Sequence, residues 1–357
     1  MNKLLQKLVR PNILALEPYS TARDEFQGGV DISVWLDANE NPFPSGVNRY
    51  PDPHQVELKQ RIAELKGCRP EQIFIGGSGS DEAIDLIFRT FCIPGVDNCV
   101  SIAPTYGVYT VAAAINDVEV RTVPLRSAAD AVQPFALDVE ALLAACDDHT
   151  KLMWVCSPNN PTANAFPAEQ LLELAERFPG ILVIDEAYVD FSEYGSMISA
   201  LAEYWNIIVM QTFSKAWGMA SLRVGMTFSA PEIAEIFARV KYPYNLSGPM
   251  QQEVLTRTAP DYRRQMQRQV ATILAERRRL ERELPKVGCV ERVFPSQANF
   301  LLVKVSAPAD IYQYLLQNGV IVRNRSKVSG CEGCLRITVG TPQENSKLLS
   351  LLSAYEA

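Results

Sequence analysis

The sequence predicts an α/β fold: a mostly parallel seven-stranded sheet between helices over residues 31–245, then a smaller α+β unit over 246–357. Three observations predict it. Short apolar runs alternate with longer segments of helical periodicity from about residue 31 to 245, the pattern of a sheet covered by helices on both faces. A proline- and glycine-punctuated stretch, Lys241-Tyr242-Pro243-Tyr244-Asn245-Leu246-Ser247-Gly248-Pro249, marks a junction. Beyond it, the order of strands and helices suits a sheet with helices packed to one side.

Residues 1–30 read as an arm ending in Gly28-Gly29. Strands are expected at 73–75, 99–102, 118–123, 152–156, 182–184, 207–211 and 224–228, each a short apolar run. Helices are expected at 55–66, 81–91, 107–114, 138–145, 167–177 and 231–240. After the junction comes a long charged amphipathic helix over 250–284, broken near Pro260. Strands at 290–294, 300–304, 320–323 and 335–339, with helices at 308–318 and 342–355, complete the chain. No internal repeat or low-complexity tract interrupts this order.

Composition narrows the function. At 357 residues, 47% hydrophobic and 21% charged, this is ordinary globular material with a large core. The net charge of −7 argues against a nucleic-acid binder, yet a few arginines can still line a local anion pocket. The first ten residues are amphipathic and too short for a secretory core or a membrane span, so a cytoplasmic protein without a membrane partner is expected. Eight cysteines in mostly apolar surroundings suit a reducing compartment. Cys331-Glu332-Gly333-Cys334 invites a metal reading, but only His54 and His149 could supplement it, so it reads as a turn and no metal is expected. Neither histidine is placed as an obvious general base.

The chemistry concentrates at the ends of three apolar runs. After 207–210 comes Thr212-Phe213-Ser214-Lys215, with Arg223 eight residues beyond the lysine. Such a lysine can form a Schiff base with an aldehyde cofactor while Thr212, Ser214 and Arg223 hold that cofactor's phosphate. After 152–156 comes Ser157-Pro158-Asn159-Asn160-Pro161-Thr162, and after 181–184 comes Asp185-Glu186-Ala187-Tyr188. In a mostly parallel sheet, ligands sit beyond the carboxyl ends of the strands, so an amide, a carboxylate with a phenol, and a lysine reach one crevice. Gly79-Ser80-Asp81 stands at a strand-to-helix turn whose amides favour anions. Gly76-Gly77-Ser78-Gly79 fails the spacing of a dinucleotide loop.

In this order, Asn-Asn-Pro-Thr, Asp-Glu-Ala-Tyr and Ser-Lys with an arginine eight later resemble the fold-type I family of pyridoxal-phosphate enzymes, the aspartate-aminotransferase superfamily. Within it the chain resembles the histidinol-phosphate aminotransferases most, through Leu16-Glu17-Pro18-Tyr19, Asp37-Ala38-Asn39-Glu40-Asn41-Pro42, Asn48-Arg49-Tyr50-Pro51-Asp52 and Gly79-Ser80-Asp81-Glu82. Pro104-Thr105-Tyr106-Gly107, Val322-Arg323 and Gly333-Cys334-Leu335-Arg336-Ile337-Thr338-Val339-Gly340 extend the likeness to nearly the whole chain. One departure is visible: Ala163 follows Thr162 where the family has glycine, and alanine avoids positive φ, so a different turn is expected there.

The resemblance implies pyridoxal phosphate as cofactor, with Lys215 as its covalent anchor and proton carrier and Asp185 on the ring nitrogen. It implies Asn160 and Tyr188 on the phenolic oxygen, Tyr106 stacked on the ring, and Gly79, Ser80, Asp81, Thr212, Ser214 and Arg223 around the phosphate. Tyr50 is implied to cross from a second subunit to the phosphate, which makes the protein a homodimer. Tyr19, Asn39, Arg323 and Arg336 are implied to bind substrate. Arg325, two residues from Arg323 and facing the same way if the segment is extended, is a rival ranked lower because Val322-Arg323 is the matching pair, and it is read as solvated. The implied reaction is transamination between L-histidinol phosphate and 2-oxoglutarate, giving imidazole-acetol phosphate and L-glutamate in histidine biosynthesis. Rivals on the same fold are an aromatic-amino-acid aminotransferase and a threonine-phosphate decarboxylase; a cofactor-binding regulator is the non-enzyme rival.

Overall fold

Strands β1 (Ile73–Gly79), β2 (Asn98–Ala103), β3 (Glu119–Pro124), β4 (Thr150–Cys156), β5 (Ile181–Asp185), β6 (Ile207–Thr212) and β7 (Gly225–Phe228) form one sheet in the computed structural model, which describes residues 3–22, 24–25, 32–126 and 134–355. Their order is β1-β7-β6-β5-β4-β2-β3. The pairs β2–β3, β2–β4, β4–β5 and β5–β6 are parallel, whereas β7 runs against both β1 and β6. The carboxyl ends of β1, β2, β4, β5 and β6 therefore share one edge, and the reversed β7 begins at that same edge.

Both faces of this sheet are covered. Along β4, Met153 and Val155 join one apolar cluster while Leu152, Trp154 and Cys156 join another. A strand buried on both faces reads as a continuous apolar run rather than an alternating one, which is how these strands appear in the sequence. The helices Ser80–Phe91 and Pro231–Val240 feed one cluster, with Ile84, Ile87, Phe88, Ile233 and Phe237 buried. Ala168–Arg177 feeds the other through Leu171 and Leu174.

The long amphipathic segment is two helices, Gly248–Arg257 and Pro260–Glu283. Pro260 stands at the first turn of the second, where its missing N–H costs nothing. Strands β8 (Val290–Val293), β9 (Phe300–Val305), β10 (Arg323–Asn324) and β11 (Cys334–Thr338) form a second sheet, antiparallel throughout, in the order β10-β11-β9-β8. On one face Leu301, Val303, Leu335 and Ile337 pack with Leu280, Ile311, Leu315 and Leu348. On the other, Leu302 and Cys334 join a core cluster of the large sheet, so this face looks toward it.

Three sequence expectations change. The strand expected at 320–323 shrinks to the two residues of β10. Its start is used to end the preceding helix: Gly319 takes φ 72° and the Val320 amide donates to the Leu315 carbonyl. The arm contains two short helices, Lys3–Leu8 and Pro11–Leu14, with Leu5 and Val9 buried in the large core; Gly28 and Gly29 lie outside the described residues. Ala163 does not avoid the left-handed region; it sits there at φ 67°, a conformation that costs roughly 1–2 kcal/mol for an L-residue. Its amide donates to the Asn159 carbonyl at 2.7 Å, its carbonyl accepts from Gln297, and it is fully buried in a cluster with Tyr188, Phe191 and Phe300.

Candidate active site

A cavity of about 330 Å³ opens beyond the shared strand edge, between the two sheets. Its walls follow from the topology. β4, β5 and β6 end at Cys156, Asp185 and Thr212, and the loops after them carry Asn160, Tyr188 and Lys215 inward. β1 ends at Gly79 and delivers Ser80 and Asp81; the residue just before the reversed β7 region contributes Arg223. The second sheet closes the opposite side with Arg323, Arg325 and Arg336.

Asp185 is the most constrained group. Its carboxylate is buried, accepts the Tyr109 hydroxyl at 2.5 Å and accepts the Ala187 amide at 3.0 Å. Burial pushes its pKa up, against the pull of those two hydrogen bonds. Tyr109 is itself fully buried and stacks on Trp154 at 4.8 Å, so it acts as a fixed orienting arm. Sequence reasoning missed Tyr109. The spacing Tyr106-x-x-Tyr109, at a helix start beside the cavity, was the available signal.

Lys215 reaches over the Tyr188 ring, 5.4 Å from its centroid. Burial first, and then the Arg336 cation, hold its pKa below the ordinary lysine value, with Asp185 pulling the other way. Arg336 lies 5.3 Å over the Phe300 ring and donates Nη1 to the Asn160 side-chain oxygen at 2.5 Å. That bond leaves the Asn160 amide nitrogen free to donate into the cavity. Asn159 keeps the turn role expected of it: it is buried, donates to the Pro104 carbonyl and accepts from Thr105.

At the other end the helix Ser80–Phe91 points its amino terminus into the cavity beside Thr212, Ser214 and Arg223. Gly79 takes φ 77°, and a β-carbon there would meet the Arg223 guanidinium at 2.6 Å, so glycine is needed for the arginine to close over this turn. Arg223 Nη2 donates to the Ser78 carbonyl and to Asp81, both at 3.1 Å. Tyr106 donates to Asp81 at 3.3 Å, and its phenol is pushed up to about 12 by burial and by that carboxylate.

Twelve of the expected site residues thus line one cavity: Ser80, Asp81, Tyr106, Asn160, Asp185, Tyr188, Thr212, Ser214, Lys215, Arg223, Arg323 and Arg336. Gly79 shapes its floor. Tyr19, Asn39 and Tyr50 are exposed and do not line it. Arg325 corrects the sequence reading: it is half-buried rather than solvated, it lines the cavity, and its Nε is buried without a hydrogen-bond partner. Arg323 is the more exposed of the two.

A fold built from a mostly parallel sheet and a smaller antiparallel one, with a lysine, a buried carboxylate and a cation-rich cavity between them, agrees with the comparisons. The family model for aminotransferase class I and II matches residues 24–352. A histidinol-phosphate aminotransferase of Parabacteroides distasonis is 49% identical over 98% of each chain. One of Bacteroides thetaiotaomicron is 48% identical over 99% of each. The crystal structure of histidinol-phosphate aminotransferase from Sinorhizobium meliloti, in complex with pyridoxal-5′-phosphate, superposes with a TM-score of 0.76 at 27% identity, covering 86% of this chain and 83% of that one. The chain belongs to the class I and II aminotransferases, and within them to the family of the histidinol-phosphate aminotransferases.

The electrostatics of Lys215 are testable. The neutral amine is the nucleophilic form, and the Arg336 cation disfavours the ammonium. Removing that cation raises the lysine pKa, so at a fixed pH more of it is protonated and unreactive. In Arg336→Ala, the pH midpoint for covalent capture of pyridoxal phosphate, followed by absorbance, moves upward and capture slows near neutral pH. A midpoint that stays put or falls contradicts the coupling.

Proposed function

We propose that this chain transfers the amino group of L-histidinol phosphate to 2-oxoglutarate, giving imidazole-acetol phosphate and L-glutamate. One observation carries the reading: Lys215 and the buried Asp185 carboxylate face Arg323, Arg325 and Arg336 across one cavity, and those arginines have no carboxylate partner among the described residues. That is a place for amine chemistry on an anionic amine. Near-half identity to named histidinol-phosphate aminotransferases over almost the full length supports this substrate over its rivals.

Pyridoxal phosphate fits the residues present. The helix amino terminus at Ser80, the hydroxyls of Thr212 and Ser214, and Arg223 would hold its phosphate. Asp185 would hold the proton on its ring nitrogen, Asn160 and Tyr188 would bind its phenolic oxygen, and Tyr106 would cover one ring face. Bound there, the cofactor supplies the electron sink for carbanion chemistry at the substrate Cα. Lys215 would hold it covalently through its side-chain amine, and the same amine would carry the substrate Cα proton. Arg336 and Arg323 bind the substrate's anionic groups, as bidentate guanidiniums do. Residues 31–245 act as the large cofactor-binding domain and 246–357 as the small one, with 1–30 as an arm. The eight cysteines are all free thiols, which supports a cytoplasmic setting. No helix among the described residues is long and apolar enough to cross a membrane.

The working unit we propose is a homodimer in which Tyr50 reaches the partner's cavity. Support comes from exposure: Val34, Leu36, Phe43, Val47 and Tyr50 are at least half exposed within one short stretch, an apolar display typical of a contact surface. Tyr50 stacks on Tyr244 at 4.4 Å and does not line the cavity of its own chain described above.

Two measurements check this. Purified protein loaded with pyridoxal phosphate turns over histidinol phosphate with 2-oxoglutarate, and Lys215→Ala abolishes turnover. Carbon dioxide release from threonine phosphate, without transamination, would instead establish the decarboxylase. For the dimer, Tyr50→Ala and Lys215→Ala proteins are mixed and their subunits exchanged. Hybrids regain activity, because one of their two sites holds both native residues; verified hybrids that stay inactive remove Tyr50 from the neighbour's site.

A further inference from the structure

Strand register puts three guanidiniums on one face of the second sheet. Arg323 of β10 lies directly opposite Arg336 of β11. The Arg325 amide donates to the Cys334 carbonyl at 2.9 Å and extends the ladder past Asn324, so Arg325 faces the same way as Arg323. All three line the cavity. Like charges directly opposite each other on a sheet destabilise it. Among the described residues no carboxylate lies within ion-pair distance of any of the three. Arg336 is tied to the Asn160 amide, whereas Arg325 keeps a buried, unpartnered Nε. Burial, and then its two arginine neighbours, disfavour the charge on Arg325.

The fold therefore sustains a repulsion that an anion between the guanidiniums would relieve. We propose that Arg325 is a specificity residue: it binds the distal anionic group of the amino donor and favours a dianionic phosphate monoester over a carboxylate. This rests on the aminotransferase reading above. The cofactor's own phosphate already has a separate set of ligands at Ser80, Thr212, Ser214 and Arg223 in that reading, so the three further cations form a second anion site. A phosphate monoester carries about −1.5 to −2 charges near neutral pH against one for a carboxylate. Arg325 is less exposed than Arg323, and a charged hydrogen bond strengthens as water leaves.

The test uses the cofactor-loaded enzyme, so that the cofactor-phosphate ligands are already occupied. Inorganic phosphate affinity is measured by calorimetry, and the two half-reactions, with histidinol phosphate and with glutamate, are followed separately. Losing a hydrogen-bonded charge corresponds to roughly 10- to 100-fold. Arg325→Gln should weaken phosphate binding and lower kcat/KM for histidinol phosphate by about that factor, with glutamate losing at least about fivefold less. Its unfolding midpoint without phosphate should match or exceed wild type, since a repulsion is removed. Arg325→Lys, which keeps the charge, should stay within about fivefold on both donors and serves if the glutamine variant misfolds. Equal losses on both donors, or unchanged phosphate affinity, overturn the assignment. If wild type does not turn over histidinol phosphate yet phosphate binding still depends on Arg325, the substrate reading fails and the anion site stands.

Discussion

The cavity depends on the parallel pairing of β4, β5 and β6 with β7 reversed beside them. Parallel pairing aligns three strand ends, and each end releases one polar side chain where the backbone leaves the sheet. Reversal of β7 brings a residue from before that strand, Arg223, to the same edge. No loop has to search for the site, because the register of the core fixes where each loop begins. The register Cys156 with Asp185, and Asp185 with Met210, carries this alignment directly into the cavity floor.

Burying a carboxylate at that edge is costly, and the fold offsets the cost with a hydroxyl and an amide rather than with a cation. Lys215 is near enough to influence Asp185 but does not pair with it. The arrangement leaves Asp185 with one outward task, a hydrogen bond into the cavity. On the opposite wall the second sheet accepts Arg323 and Arg336 as a cross-strand pair, a local conflict that reads as function overriding stability. Ala163 is a similar case: a left-handed alanine is retained where two backbone hydrogen bonds and complete burial hold it.

Much of this was legible in the sequence because continuous apolar runs ended in polar motifs. The seven strands of the large sheet and the break at Pro260 follow from apolar runs and proline position. Twelve cavity residues followed from strand-end placement together with the family resemblance. What escaped depended on tertiary contact. Tyr109 sits in an apolar helix, and its spacing from Tyr106 is the one local hint that it meets a carboxylate 76 positions on. Arg325 reads as solvated because it lies outside the Val322-Arg323 pair that carries the resemblance, yet the β-ladder turns it inward. The strand at 320–323 was overcounted because Val320 and Val322 favour strands, while the preceding helix needs Gly319 and Val320 to terminate. For Tyr50 no position within one chain could test the resemblance, since the role it implies lies across a subunit boundary; Tyr19 and Asn39, read as substrate residues, lie exposed outside the cavity.

In the proposed function the buried Asp185 carboxylate would keep the ring nitrogen of pyridoxal phosphate protonated. Asp185→Asn preserves size and can still accept the Tyr109 hydroxyl, so the fold should persist and the purified variant should unfold cooperatively. Turnover of histidinol phosphate at saturating cofactor is the measurement. The account predicts a loss of at least about 1000-fold, corresponding to about 4 kcal/mol of transition-state stabilisation. A folded, cofactor-loaded variant retaining more than roughly a tenth of wild-type turnover, a change of under ~1.4 kcal/mol, would contradict it.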